Sequence, residues 1–222
     1  MPHTDRVPRI ARAALLAAAL IANAAPAAAE TGKAIDLPSG ASIYFETHGA
    51  GRPLLAIHGG LDHTYFRPWL DPLAKNFQLV LPDVRGNGRS QELPEAEYTH
   101  EKMIADFDAL RTALGFREWA VLGHSYGGYL AQLCALKYPD TVSYLVLVGT
   151  SPARRQLGNK EGVQLAGPKM TPAIRESLAR LGSVASDDEW KRIWHTILPL
   201  YFHQHPVDSL IANDKTIYGI AC

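Results

Sequence analysis

The chain has 222 residues, with 22 Lys and Arg balanced by 22 Asp and Glu to a formal net charge of zero. No basic patch stands out, so nucleic acid is not an expected partner. Two cysteines, Cys134 and Cys222, are too few for a disulfide framework, and no metal-ligand spacing is present, so no cofactor is expected.

Arg6, Arg9 and Arg12 precede an apolar run from Ala13 to Ala25, and Ala27-Ala28-Ala29 offers a small-residue cleavage site before Glu30. This is the pattern of a secretory signal peptide over residues 1–29, with an apolar core too short to span a bilayer. It predicts export to a periplasm or the medium, and no later segment predicts a membrane span. Removing 29 of 222 residues leaves 193, about one domain's worth, and takes away three Arg and one Asp, for a net charge of −2.

Residues 33–48 read as a hairpin, with apolar runs at Ile35-Asp36-Leu37 and Ile43-Tyr44-Phe45 around Pro38-Ser39-Gly40. Pro53 to Ile57 reads as a buried strand ending at His58-Gly59-Gly60, followed by a short helix near Trp69 to Leu73. Phe77 to Leu81 is the next strand, ending at Asp83. A helix is predicted over Tyr98 to Leu114, with Thr99 as N-cap, Tyr98 and Met103 at hydrophobic-staple spacing, and Ile104, Phe107, Leu110 and Leu114 as its buried stripe. Trp119 to Leu122 is a strand, Tyr126 to Tyr138 a helix stopped by Pro139, and Tyr144 to Val148 a further β-rich run. Strands alternating with helices, each strand nearly continuously apolar, predict an α/β fold with a parallel sheet covered on both faces.

From Ser151 the pattern changes. Residues 151–170 read as a loop. Thr171-Pro172 opens a helix with Ile174, Leu178 and Leu181 on one face and Gly182 closing it. Ser186 and Glu189 have capping-box spacing for a second helix, with Trp190, Ile193, Trp194, Ile197 and Leu198 as its stripe and Pro199 at its end. The organisation expected is a signal peptide over 1–29, a core over 30–150 and a helical cap-like segment over 151–222.

The chemistry centres on Gly123-His124-Ser125-Tyr126-Gly127-Gly128, between a strand and a helix. A serine with glycines two residues to either side has the form of a nucleophile elbow, whose tight turn excludes bulky flanking side chains. The following helix N-terminus can hold an oxyanion on its N–H groups. His58-Gly59-Gly60, then Asp83-Val84-Arg85-Gly86-Asn87-Gly88-Arg89-Ser90, then the elbow, in that order, resemble the α/β-hydrolase superfamily, and within it the proline-iminopeptidase-like branch. The resemblance covers roughly residues 34–150. It implies an α/β-hydrolase core with a mostly parallel sheet, a partial helical cap, and hydrolysis of an ester or an N-terminal amide through an acyl-enzyme. It implies Ser125 as nucleophile, the Tyr126 backbone N–H as one oxyanion donor, and Gly60 as the other, with Leu61 as the alternative. A small-molecule ester or short peptide is the implied substrate.

Other residues read more plainly. His58 is a structural histidine that hydrogen-bonds its loop, and His124, adjacent to Ser125, diverges from it and is not the base. Asp83 and Arg85 form a loop-fixing ion pair, and Asn87 and Gly88 occupy a left-handed turn. Cys134 is a small core residue, Trp190 and Trp194 are cap-core residues, and His203 with His205 lacks a third ligand for a metal. Aminopeptidase activity needs a carboxylate to hold the free amine, for which Glu161, Glu176 and Glu189 are available.

The superfamily order is Ser, then Asp or Glu, then His, on loops after later strands. After Val148 only a loop and cap-like helices are read, Gly149-Thr150-Ser151 carries no carboxylate, and Asp214 would have to reach the elbow from a frayed terminus. C-terminal strands are therefore expected to be absent, leaving an apolar strand edge exposed. The expectation is a truncated serine hydrolase with an incomplete triad and little or no turnover. Completion by another polypeptide, or a non-catalytic binding protein on an α/β-hydrolase scaffold, is the alternative.

Overall fold

A computed structural model describes residues 31–65, 67–152, 169–201 and 207–217. The signal-peptide segment, most of the 151–170 loop, Glu161, His203, His205 and Cys222 lie outside the described residues.

Six strands form one sheet: β1 (Thr31–Asp36), β2 (Ser42–His48), β3 (Arg52–Ile57), β4 (Phe77–Pro82), β5 (Trp119–His124) and β6 (Val142–Val148), in the order β1-β2-β4-β3-β5-β6. β1 and β2 are the expected hairpin, in antiparallel register from Thr31 opposite Thr47 to Asp36 opposite Ser42. β2 is antiparallel to β4, and the β3–β4, β3–β5 and β5–β6 pairs are parallel.

The continuous apolar runs resolve into two faces because side chains alternate along a strand. Leu55 and Ile57 of β3 join Phe45, Val80 and Val121 under helices α2 (His100–Ala113) and α3 (Tyr126–Lys137), which contribute Phe107, Leu110 and Leu130. Leu54 and Ala56 face the other way, with Leu79, Leu81, Ala120 and Leu122. Leu70 of the short helix α1 (Arg67–Leu70) and Leu73 of the 3-10 turn after it lie over them. Cys134 sits in the first of these cores, 4% exposed.

Coverage on both faces fails at β6. Tyr144, Leu145, Val146, Leu147 and Val148 are each at least 39% exposed, and among the described residues β6 pairs on one side only, with β5. This is the apolar edge expected from the sequence. It is uncharged and long, the form that pairs readily with other chains.

The capping signals set the helix starts. Thr99 Oγ1 accepts from Lys102 N–H at α2, and Thr171 Oγ1 from Ile174 N–H at α4 (Pro172–Arg180). Ser186 Oγ accepts from Glu189 N–H at α5 (Asp187–Ile197), and the Glu189 carboxylate returns to Ala185 N–H rather than to Ser186. α4 ends at Arg180 in a 3-10 turn instead of at a glycine cap, which leaves Leu181 exposed rather than on the buried stripe. Ile174, Ile193 and Ile197 are buried where these two helices pack, whereas Trp190 and Trp194 are only half-buried. A last short helix, α6, covers Asp208–Ala212. None of the described helices is long and apolar enough to cross a membrane.

Candidate active site

The elbow forms as its glycines require. Ser125, between β5 and α3, has φ 54° and ψ −121°, and is the one non-glycine residue with positive φ among those described. Such a conformation costs on the order of 1–3 kcal/mol and persists only where surrounding contacts impose it. Here they do. A Cβ on Gly123 would lie 2.3 Å from Gly127 O, one on Gly127 would lie 2.2 Å from His58 O, and one on Gly128 would lie 2.6 Å from Thr150 Cβ. The end of β3, the first turn of α3 and the segment after β6 thus interlock around the serine. Ser125 N–H donates to Val148 O at 2.9 Å, tying the turn to β6. The Ser125 side chain is exposed.

The two residues expected to supply oxyanion donors lie in the loop after β3 and at the start of α3. Tyr126 is the first residue of α3, so its N–H has no acceptor within the helix. Gly60 is exposed, with nothing within 4 Å of where a Cβ would stand. Gly59 is the near neighbour of Ser125, its added Cβ falling 3.4 Å from Ser125 Cβ. Leu61, the alternative donor, is buried.

His58 takes the structural role read for it. Val84 N–H donates to its Nε2 at 2.8 Å, so Nδ1 carries the proton and donates to Gly59 O at 2.9 Å. The imidazole therefore ties the loop after β4 to the loop after β3. A trans peptide is planar, so fixing the Gly59 carbonyl also directs the Gly60 N–H the opposite way. Complete burial lowers the His58 pKa to about 4, outweighing the upward pull of Asp83.

This has a consequence for acid stability. Between 6.5, the value of a free imidazole, and about 4, the unfolded chain binds a proton at His58 and the folded chain does not. Its contribution is present above pH 6.5 and is lost as pH falls toward 4, about 3 kcal/mol in all at 1.36 kcal/mol per unit. Urea unfolding at pH 7 and pH 4.5 should show most of that loss, and His58→Gln should remove it. An unchanged slope in the variant rejects the assignment.

The Asp83–Arg85 ion pair is not formed. Arg85, 1% exposed, turns to Asp106 of α2, with Nε to Oδ2 and Nη2 to Oδ1 both at 2.7 Å, and it also reaches Ser39 Oγ and Glu97. Asp83 instead meets His63 Nδ1 at 2.6 Å and accepts from the N–H groups of His63 and Arg89. Burial opposes both charges, but the pairing prevails: His63 is held above the ordinary imidazole pKa and Asp83 below the ordinary carboxylate value. His63 therefore contributes stability that is complete below pH 6.5 and lost as pH rises through its folded value, a window separate from that of His58. The left-handed positions in this loop belong to Gly86 and Gly88, at φ 75° and 55°, and not to Asn87. A Cβ on Gly88 would meet Asp83 Oδ2 at 2.3 Å, so the carboxylate occupies that space.

His124 is engaged by Tyr65, its Nδ1 2.6 Å from Tyr65 Oη. Burial lowers its pKa, which keeps it neutral. Asp214 has partners of its own. Its Oδ2 lies 2.7 Å from His195 Nε2, and its Oδ1 accepts from Thr216 N–H. That pair lies on a cavity of about 910 Å³ bounded also by Trp69, Leu122, His124, Trp194 and Tyr201, and Ser125 is not among its lining residues. Among the described residues no hydrogen bond reaches the Ser125 hydroxyl, and no cluster of three or more His, Cys, Asp or Glu could hold a metal. Glu189 is committed to Ala185 N–H and to the Arg180 guanidinium, and Glu176 is exposed, so neither is poised for a substrate amine. Sequence reasoning missed Tyr65, His63 and Asp106, which sit in irregular or helical segments where no spacing marks a partner far along the chain.

A family model described as alpha/beta hydrolase fold matches residues 52–172. A proline iminopeptidase of Pestalotiopsis fici is 30% identical over 171 residues, 72% of this chain and 59% of that protein. A proline iminopeptidase of Xylella fastidiosa is 36% identical over 121 residues, 51% of this chain and 37% of that protein. The chain thus spans between about a third and three fifths of the length of these two relatives. A pimeloyl-[acyl-carrier protein] methyl ester esterase of Aliivibrio salmonicida is 36% identical over 188 residues, 79% of this chain and 69% of that protein. The crystal structure of a hydrolase from Pseudomonas aeruginosa superposes with a TM-score of 0.60 at 24% identity, over 83% of this chain and 66% of that one, a likeness of fold. With the three motifs at the ends of β3, β4 and β5, these matches place the chain in the alpha/beta hydrolase family, on the branch that resembles proline iminopeptidases.

Proposed function

We propose that the protein is an exported serine hydrolase that attacks an ester or an N-terminal amide through Ser125. The observation that carries this reading is the exposed Ser125 held at positive φ beside Gly59. The hydroxyl would add to the carbonyl carbon, and the resulting oxyanion would be met by the N–H groups of Tyr126 and Gly60. Two such donors contribute on the order of 3 kcal/mol each. Collapse of the tetrahedral intermediate expels the alcohol or amine and leaves the acyl group on Ser125, for water to remove. Relatives of both kinds, peptidase and esterase, support a small ester or a short peptide as substrate. Export rests on the signal-peptide pattern of residues 1–29.

A serine hydroxyl needs a base to take its proton, and the residues quoted above identify none. The reading that follows is low turnover, limited to what binding and the oxyanion hole supply. The same observation favours one other reading, a binding protein on a hydrolase scaffold.

A fluorophosphonate probe separates these readings. Slow modification confined to Ser125, and lost in Ser125→Ala, is expected. Modification that survives Ser125→Ala overturns the nucleophile. Rapid labelling of the wild-type chain shows a competent base and overturns the low-turnover reading. Ligand binding that persists unchanged in Ser125→Ala supports the scaffold reading.

A further inference from the structure

The loop that carries Gly60 contains two consecutive glycines, His58-Gly59-Gly60, and glycine backbone has little intrinsic preference for one conformation. A useful oxyanion hole needs the opposite, a donor fixed before the charge develops. His58 holds one side of the Gly59 residue, at its carbonyl. The other side is held by Tyr65, in the 3-10 turn His63–Tyr65. Gly59 N–H donates to Tyr65 Oη at 2.8 Å. The same hydroxyl lies 2.6 Å from His124 Nδ1. In the tautomer with the imidazole proton on Nε2, Tyr65 Oη accepts from Gly59 N–H and donates its own proton to His124 Nδ1.

One hydroxyl thus joins the loop after β3 to the residue immediately before the nucleophile. The packing is close on all sides. An added Cβ on Gly59 would stand 3.2 Å from Tyr65 Oη and 3.4 Å from Ser125 Cβ. Burial raises the Tyr65 pKa, so the hydroxyl keeps a proton to donate. Neutral His124 is the acceptor this arrangement needs.

The geometry points to Tyr65 as a positioning residue for the oxyanion hole, setting the Gly60 donor relative to Ser125 through its bonds to Gly59 N–H and His124 Nδ1. It occupies the Gly59 N–H, so that group is not a donor to substrate. With the Gly59 carbonyl bonded to His58, the Gly60 N–H points the opposite way and is the donor this loop has left to offer. Tyr65 itself touches no reacting atom in this scheme. The inference rests on the proposed roles of Ser125 and Gly60, and its test is chosen to fail separately from them.

Phenylboronic acid is a suitable ligand, because the serine oxygen adds to boron and releases a proton to solvent, giving an anionic tetrahedral adduct without a leaving group. Binding is measured for the wild-type chain, Tyr65→Phe and Ser125→Ala, together with the ¹⁵N resonances of the His124 ring. Tyr65→Phe is expected to bind about tenfold more weakly. The His124 ring should shift from a single Nε2–H tautomer to a mixture, a signature that a general loss of packing does not produce. Should Tyr65→Phe not fold, His124→Leu, which removes the acceptor of the same hydroxyl, carries the affinity test, with weakening again expected. Boronate affinity unchanged in the folded variant, with binding still lost in Ser125→Ala, overturns the role of Tyr65 and leaves Ser125 standing. Absence of wild-type binding, or binding unaffected by Ser125→Ala, overturns the nucleophile assignment itself.

Discussion

Arg85→Met is expected to destabilise the protein by about 3–5 kcal/mol, the cost of leaving a buried charge without its partner. Asp106 is 2% exposed, and two of its strongest bonds come from the Arg85 guanidinium at 2.7 Å. Without that fork it keeps only the Ser39 hydroxyl, at 2.8 Å. Lysine cannot reproduce the paired geometry, so Arg85→Lys should recover little. The double variant Arg85→Met, Asp106→Leu removes both charges and should be markedly more stable than Arg85→Met alone. Urea denaturation of the three variants and the wild type measures this. Equal stability of the single and double variants contradicts the argument. The effect reaches the active site as well. Arg85 anchors the loop whose Val84 N–H holds His58, and His58 holds Gly59.

Gly127→Ala should leave little or no folded protein, a cost above about 4 kcal/mol, among the largest for any single substitution. The new methyl would stand 2.2 Å from His58 O and 2.3 Å from Ile57 O, both backbone atoms at the end of a central strand. Neither can move without breaking the β3–β5 pairing from Leu54 to Ile57. Gly60→Ala is the matched control. It adds the same methyl one loop away, where nothing lies within 4 Å, and its effect should stay within about 0.5 kcal/mol. Circular dichroism and thermal melting of the two variants distinguish them. A well-folded Gly127→Ala protein would show that α3 can retreat from β3, and would remove the steric basis given for the elbow.

The motifs were legible because each occupies one short stretch whose chemistry is local. The glycines around Ser125 announce a turn that only a missing Cβ permits. Thr99, Thr171 and Ser186 announce helix starts by bonds that span three residues. The partners of the charged loop residues were not legible in the same way. Asp83 and Arg85 are two apart, which suggested a pair, but their actual partners are 20 and 21 residues away. Only the folded sheet brings those segments together. Asn87 looked suited to a left-handed turn, yet flanking glycines took both such positions at lower steric cost. β6 reads by composition like an interior strand. Its exposed edge was legible not in the run Val142–Val148 itself but in the lack of strand-like runs read after it.

The sheet order also sets a timetable. β3 lies between β4 and β5, and Leu54 pairs with Ala120, 66 residues later in the chain. Closing a loop of that length costs about 3–4 kcal/mol of chain entropy before any contact offsets it. His58 is held by Val84 after β4, but Ser125 stands against Gly59 only once β5 has paired with β3. The candidate site therefore depends on a long-range pairing and is dismantled whenever β5 separates from β3. For a protein of this topology, the rate at which distant segments find each other limits how soon the candidate site exists at all.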